Sequence, residues 1–509
     1  MTLRIVPTPL APAVELPTPR EGHFDPALAD AIIASPARDA ALTRLREPGA
    51  FVITTGQQPG LFTGPLYTLY KAISTASLAR VLERQWQRPV VPVFWVAGDD
   101  HDFTEASQAS WISGEGTLVT AALPPRPPEA PLTPMYRQPL GLEVERVLES
   151  LAADLPASEF REATLTWLRR HYQPTATVAG SFGAALAELL APLGIAVLDS
   201  THPSVKRAAA RHLVRALGLA RELDRDLEHR AEELRMAGAA PSVPVGDGAT
   251  LVMLEGSQGR DRLMIDDGGY ITRRARERFD LAALQTIAAT DPQRLSPNVL
   301  LRPVVESALL PTVAYLAGPG ELSYLALTPP VYERMRIPRQ PALPRWSGIL
   351  VEPRVERVLQ KFDIELDNLL EPAGALEARL VRSQLPDEAV HAIEKLRAAL
   401  ETGYEALGGS AAEIDPTLAR PVQGAKNQGL SGLHDIERKL LQHLKRRQEV
   451  ELGQIAKARA MVLPDGKQQE RVLTVAPFLA RYGPSLLIEL SEAIEGWYAS
   501  ALEGALNPS

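Results

Sequence analysis

Asp99, Asp100, His101 and Asp102 place three carboxylates around one imidazole, directly after an apolar run from Val90 to Ala97. Such neighbours would raise the histidine pKa and orient it as a general base, or hold a divalent metal through oxygen and nitrogen. Adjacent residues at a strand end point in different directions, so all four cannot face one atom. Catalysis or substrate binding is the leading reading, a capping loop with solvated carboxylates the next, and a metal site the last. His101, Asp100 and Asp102 are the candidate catalytic residues, and no metal is assigned.

A second segment, Gly56-Gln57-Gln58-Pro59-Gly60, follows the apolar run Ala50 to Thr55 and leads into a helical pattern from about Pro65 to Gln85. Glycines there would let backbone approach a ligand, and unpaired N–H groups opening the helix would suit a carboxylate or phosphate. Gln57, Gln58, Thr63, Gly64, Tyr67 and Lys71 are the candidate substrate-binding residues of this segment. Its spacing is neither a Walker loop nor a dinucleotide fingerprint, so an ordinary turn stays open. A third segment runs from Arg302 through Glu306 to Gly318-Pro319-Gly320-Glu321-Leu322-Ser323-Tyr324. Arg302 could clamp a carboxylate bidentately, and Gly318, Gly320 and Glu321 complete the substrate-binding candidates. A conventional turn with a surface ion pair would explain the same residues.

These clusters need elements to carry them. Val90 to Ala97 is continuously apolar, as in a parallel strand covered on both faces, and with the preceding strand and helix it makes a βαβ unit. A third run, Ile195 to Leu198, ends in Asp199-Ser200-Thr201-His202-Pro203, where His202 reads as a structural or capping residue and Asp199 is undecided. In such a sheet, ligands bind beyond the carboxyl ends of the strands. The fold class is therefore α/β: a Rossmann-like parallel-sheet core over 1–350, with inserted subdomains near 104–190 and 220–290. Runs such as Thr250 to Leu254 and Arg262 to Ile265 suggest short antiparallel strands in the second insertion, with the core resuming near Ser296.

After Pro353, Val355, Leu359, Phe362, Leu366 and Leu369 repeat at spacings of four and three. Ile393, Leu396, Leu400, Tyr404 and Leu407 do the same, ahead of a long charged helix around Leu433 to Met461. Residues 351–465 thus read as an α-helical coiled-coil arm, and its apolar stripes predict a homodimer. The basic stretch Lys445-Arg446-Arg447 reads as a solvated face. Residues 466–509 are expected to pack on the core.

With 45% apolar and 23% charged residues, the chain has the composition of a globular protein. Its formal net charge of -8 argues against nucleic-acid or anionic-membrane binding, while local basic groups leave small anionic ligands open. The absence of cysteine excludes a disulfide frame, thiolate-ligated zinc and a cysteine nucleophile, so any thiol must come from a substrate. Met1 to Arg20 has no basic segment leading into an apolar run, and no apolar stretch reaches the roughly 20 residues that span a bilayer. The expected compartment is the cytoplasm.

The run Gly56 to Tyr67 with Lys71, Phe94-Trp95 through Asp100-His101-Asp102-Phe103, and Asn298-Val299-Leu300-Leu301-Arg302-Pro303 together resemble the BshC family of bacillithiol biosynthesis. Leu310-Pro311-Thr312, Ala317-Gly318-Pro319-Gly320-Glu321 and Gln469-Glu470-Arg471-Val472 continue the likeness in the same order. Pro59 is a local variation, and Glu306-Ser307 departs from an amide–acid pair associated with the family, so those two positions carry little weight. The resemblance implies a Rossmann-like core, a C-terminal coiled coil, dimerisation, and a cysteine ligase that joins L-cysteine to the amine of glucosaminyl-malate. Amide formation needs an activated carboxylate, for which ATP or another nucleotide is possible, although no cofactor is assigned. Neither H-x-G-H nor K-M-S-K-S is present, although Thr63-Gly64-Pro65 occupies a comparable strand-loop-helix position. His101 or a flanking carboxylate is the general-base candidate for the amine, while Asp100 and Lys71 or Arg302 would read the opposite charges of the substrates. The alternatives are another nucleotide-dependent amino-acid ligase or nucleotidyltransferase, and a non-enzymatic coiled-coil scaffold.

Overall fold

A computed structural model describes residues 3–11, 14–20, 22–239 and 241–506. Five strands form its central sheet: β1 (Phe51–Gln57), β2 (Val90–Val96), β3 (Ala196–Asp199), β4 (Thr312–Ala317) and β5 (Ala342–Pro344). Their order is β5-β4-β1-β2-β3, and every neighbouring pair is parallel. β2 is buried along its whole length and β1 along all but Gln57, which is why these strands read as unbroken apolar runs. On one face Val52, Val91, Val93 and Trp95 join Leu213 and Leu217 of the helix Pro203–Gly218 in a common core, the alternation along β2 following the strand's period of two. The long helix α1 (Leu66–Trp86) packs on β1 and β2, and the helix Ser485–Leu506 packs on α1. Arg80 fixes that last contact by pairing with Glu495 at 2.5 Å.

The chain moves outward from β1 to β3 and then returns to place β4 on the other side of β1. Strands β1 and β4 therefore lead away in opposite directions, which opens a crevice beyond their carboxyl ends. Two short helices follow this geometry: α2 (Arg302–Leu309) precedes β4, and α3 (Pro319–Leu325) leaves its end.

The segment between β2 and β3 carries a hairpin, Gln108–Ile112 with Leu118–Ala122, and the helices Glu143–Asp154, Arg161–His171 and Val178–Leu189. Between β3 and β4 lies a second, five-stranded sheet with antiparallel pairs, which includes Ala249–Gly256 and Gly259–Asp266. The expectation that the core resumes near Ser296 is corrected here. Leu295–Pro297 pairs antiparallel with Ala249–Gly256, Leu295 facing Leu254, and the parallel sheet resumes only at Thr312. A three-residue strand has no periodicity of its own to say which sheet it joins.

Residues 351–468 form the main part of a separate compact unit. Within it, the helices Asp387–Ile414 and Ala419–Arg447 pack along each other as a hairpin, and Asp415 caps the turn by accepting from Thr417 N at 2.8 Å. The expected long charged helix is broken at Gln448, and Glu449–Val462 follows. Leu396, Leu407, Ile436 and Leu440 are exposed on this unit. Among the described residues no helix is long and apolar enough to cross a membrane.

Candidate active site

The second and third sequence clusters, some 250 residues apart, meet at the crevice between β1 and β4. Lys71 of α1 is 1% exposed, and its ammonium donates to Gly56 O, to Gln57 Oε1 at 3.1 Å and to Glu321 Oε2 at 2.7 Å. All three ammonium donors are thereby engaged. Glu321, on α3, also accepts from Gly318 N at 2.9 Å and, through Oε1, from the Tyr315 hydroxyl at 2.7 Å. Arg302, at the start of α2, donates to that same hydroxyl at 2.9 Å and stacks over the Tyr315 ring. On the other side of Lys71, Gln57 Nε2 donates to the Tyr67 hydroxyl at 3.1 Å, which donates to Glu105 at 3.3 Å. The result is one hydrogen-bonded chain, Glu105–Tyr67–Gln57–Lys71–Glu321–Tyr315–Arg302, running across the ends of the strands.

Burial shapes the charges in this chain. Desolvation lowers the Lys71 pKa from 10.5 to about 8, against the pull of Glu321. For Glu321 burial opposes ionisation, but Lys71 and Arg302 outweigh it and hold the carboxyl below its usual range. Glu306, wholly buried beneath Arg302 at 3.4 Å, is pushed up by burial. Gly56 is required by this packing, since a Cβ there would lie 2.9 Å from the Arg302 guanidinium.

The turn after β1 is held under strain. Phe62, Thr63 and Gly64 all have positive φ, at 50°, 69° and 72°. Such backbone persists only where its surroundings fix it. Here Thr63 N–H donates to the Tyr172 hydroxyl at 2.7 Å, Phe62 O accepts from Thr474 Oγ1 at 2.9 Å, and Leu66 N–H, opening α1, donates to Leu473 O at 2.9 Å. The N–H that opens this helix is thus already bonded within the protein, against the expectation of an unpaired group there. Thr63 is buried and its hydroxyl donates to Phe62 O, whereas Gln58 lies half-buried against Glu105. Gly320 opens onto free space, with no atom within 4 Å of an added Cβ.

Beyond β2 the three carboxylates diverge. Asp99 pairs with the buried Lys206 at 2.6 Å. Asp100 Oδ1 accepts from the backbone of His101 at 2.6 Å and of Asp102 at 3.0 Å, and Asp102 caps the short helix Phe103–Ala106 through Glu105 N. The charged side chain that meets the imidazole is instead Arg260, whose Nη1 lies 3.4 Å from Nδ1. The expected rise in the histidine pKa is therefore overturned. Burial and Arg260 lower it, and Asp100 and Asp102 only partly compensate, because their carboxylates are directed at backbone N–H groups. After β3, Asp199 binds its own turn at Thr201, and His202 caps the helix Pro203–Gly218 through Ser204. A cleft beyond β2 and β3 is lined by Asp100, Lys206, Arg260, Asn298 and Arg302, so the first and third clusters share a wall.

Several residues here escaped the sequence reading: Glu105, Arg260, Lys206, Tyr315 and Arg345, while Tyr324 and Glu470 stood in segments noted there without a role of their own. Arg345 and Glu470 form a buried bidentate pair at 2.6 and 3.0 Å, with Arg345 flanking Gly318. A tyrosine within the apolar strand β4 and an arginine beside buried β5 were the available signals. Arg260 gave none, since it sits in an alternating strand of the second sheet like any solvent-facing residue.

Two family models match the chain: "Bacillithiol biosynthesis BshC, N-terminal Rossmann-like domain" over residues 28–346, and "Bacillithiol biosynthesis BshC, C-terminal coiled-coil domain" over 348–497. A protein of Heliobacterium modesticaldum named "Putative cysteine ligase BshC" is 34% identical over 471 residues, covering 90% of this chain and 83% of its own. Relatives of the same name from Koribacter versatilis, 34% identical over 90% of this chain and 85% of their counterpart, and from Chlorobaculum tepidum, 30% identical over 96% and 87%, agree with it. With both domain models matched in order along a parallel-sheet core and a helical arm, the chain belongs to the BshC family of bacillithiol-biosynthesis ligases.

Proposed function

We propose that this protein joins the carboxyl of L-cysteine to the amine of glucosaminyl-malate, forming an amide at the strand ends between β4 and β2. The observation that carries this reading is the hydrogen-bonded chain from Glu105 to Arg302, which links polar residues of three separate segments where an open α/β sheet binds ligands. A scaffold has no need of such a chain. Arg302 lines the cleft and supplies positive charge for the malate carboxylates, while Asp100 on the same wall reads the ammonium of cysteine. Lys71 acts on them from below, by fixing Gln57 and Glu321.

Activation of the cysteine carboxyl is assigned to ATP or another nucleotide, on the chemistry of amide formation alone. The turn after β1 does not fit its phosphates, because the N–H groups of Thr63, Gly64 and Leu66 are already bonded within the protein. The working form is proposed to be a homodimer through residues 351–465, whose exposed Leu396, Leu407, Ile436 and Leu440 call for a partner surface. Light scattering that finds a monomer at micromolar concentration overturns the dimer.

The test of function is a product assay by mass spectrometry with purified protein, L-cysteine, glucosaminyl-malate and each nucleoside triphosphate in turn. The expected result is a thiol-bearing amide of the two substrates, dependent on one nucleotide. Product with other acceptor amines and none with glucosaminyl-malate would replace this reading with that of a different amino-acid ligase.

A further inference from the structure

Arg260 belongs to the strand Gly259–Asp266 of the antiparallel sheet, far in sequence from the histidine it meets. Its guanidinium is anchored twice: Nε donates to Ser296 Oγ at 2.9 Å and Nη2 to Pro297 O at 2.7 Å. Those two bonds fix the plane of the group and direct Nη1 at His101 Nδ1, 3.4 Å away. A guanidinium has donors and no acceptor. The imidazole nitrogen facing it must therefore present a lone pair, which puts the ring proton on Nε2. The backbone around His101 is held as firmly, by Asp100 Oδ1 on its N–H and by Arg126 Nη1, which donates to its carbonyl at 3.2 Å.

We infer that His101 works as a neutral hydrogen-bond donor through Nε2, not as a general base, and that Arg260 is the positioning residue that sets this tautomer. The inference rests on the ligase reading above and assigns a role within it. When an amine adds to an activated carboxyl, negative charge develops on the carbonyl oxygen, and a fixed N–H aimed at that oxygen stabilises it without reorganising. His101 transfers no proton in this step. A base would need the opposite arrangement, with a carboxylate on one nitrogen and a lone pair on the other. The charged groups around the ring are Arg260 and Arg126, which disfavour the imidazolium, and Asp100 and Asp102, which favour it. Burial and Arg260 prevail and lower the ring's pKa, which favours the neutral imidazole. The remaining aspartate of the cluster, Asp99, is committed to Lys206.

Nitrogen NMR of protein labelled with 15N-histidine reads tautomer and titration directly, with the His101 signals assigned by their loss in His101→Gln. At neutral pH the wild type is expected to show a bare Nδ1 and a protonated Nε2, titrating below 6.5. In Arg260→Met the titration is expected to move up and the tautomer preference to weaken, and Arg260→Lys should restore both in part. A wild-type ring protonated on Nδ1, or an imidazolium at pH 7, overturns the inference whatever the variants do. In the ligase assay, His101→Ala should lose about 10²- to 10³-fold in kcat, the usual loss for one oxyanion donor. His101→Gln, which keeps a side-chain N–H at that reach, should stay within about tenfold of wild type. Equal losses in the two variants overturn the donor role in favour of a base. Absence of any amide product from the wild type would instead sink the ligase reading while leaving the NMR result standing.

Discussion

At the ends of β1 and β4, Lys71, Glu321, Tyr315 and Arg302 direct their hydrogen bonds at one another, and the lysine is closed off from solvent. At the end of β2, a few residues away from the same chain of bonds, Asp100 and Asp102 bind backbone and the half-buried His101 is addressed on one nitrogen by an arginine. The contrast separates two tasks that look alike in sequence, where both regions are clusters of charged residues after an apolar run. A buried network whose members satisfy each other fixes geometry, because breaking any member leaves an uncompensated charge. A half-exposed cluster with its carboxylates committed to turns leaves one ring to meet a ligand.

The largest expected effect falls on the first region. Glu321→Ala leaves the Lys71 ammonium buried beside Arg302 without its carboxylate, and should cost about 3–5 kcal/mol of stability. Denaturant unfolding checks this, and a loss below about 1 kcal/mol would mean that the pair behaves as a surface one. Next comes His101→Ala in the second region, where turnover should fall by about 10²- to 10³-fold while the melting temperature holds. A matching drop in melting temperature would erase the distinction between the regions.

The pH response sharpens it further. Lys71 holds its proton less tightly when folded, at about 8, than when unfolded, at 10.5. The unfolded chain thus binds more protons between those values, so this group's contribution to stability rises as pH climbs from 8 to 10.5 and is least favourable below 8. Glu321 acts with the same sign in the acid range: its carboxyl is held below the usual range, so its contribution is lost as pH falls through the folded value. Unfolding curves of Lys71→Met should lack the alkaline rise, and an unchanged slope would place that lysine's proton elsewhere. A smaller effect is expected from Asp102→Ala, which removes a helix cap and should cost about 1 kcal/mol. Smallest of all, incubation with a zinc-selective chelator, with magnesium kept in excess for the nucleotide, should leave activity unchanged, since Asp99, Asp100 and Asp102 diverge from His101 to separate partners. Activity lost to chelator and restored only by zinc would contradict this.

The sequence disclosed the sheet because β1 and β2 are apolar without interruption, and it disclosed the site's location because polar clusters at strand ends need only local reading. What it could not disclose was pairing. Lys71 and Glu321 both read locally as substrate-binding, but nothing local says that residues 250 positions apart neutralise each other. The histidine's shift was read with the wrong sign because Asp100 and Asp102 are its neighbours along the chain, while Arg260, 159 positions away, is its neighbour in space. Glu470 stood in a segment that resembled the family, yet its partner Arg345 is supplied by the end of β5, which only the fold reveals.

The strained turn at Phe62–Gly64 has a consequence for how the protein is made. Its clamps include Leu473 and Thr474, the latter bonded to Phe62 across 412 positions of chain, and the Arg345–Glu470 pair closes beside it. A ribosome therefore releases β1, α1 and β2 long before the segment that holds their connecting turn has emerged. Until then the turn is free to relax from its positive φ angles, and the nascent chain carries a sheet without a competent site. Ligase activity in a translating population should accordingly appear only with chains that have cleared residue 474, and a release-stalled series cut before Gln469 should fold its sheet yet bind no substrate.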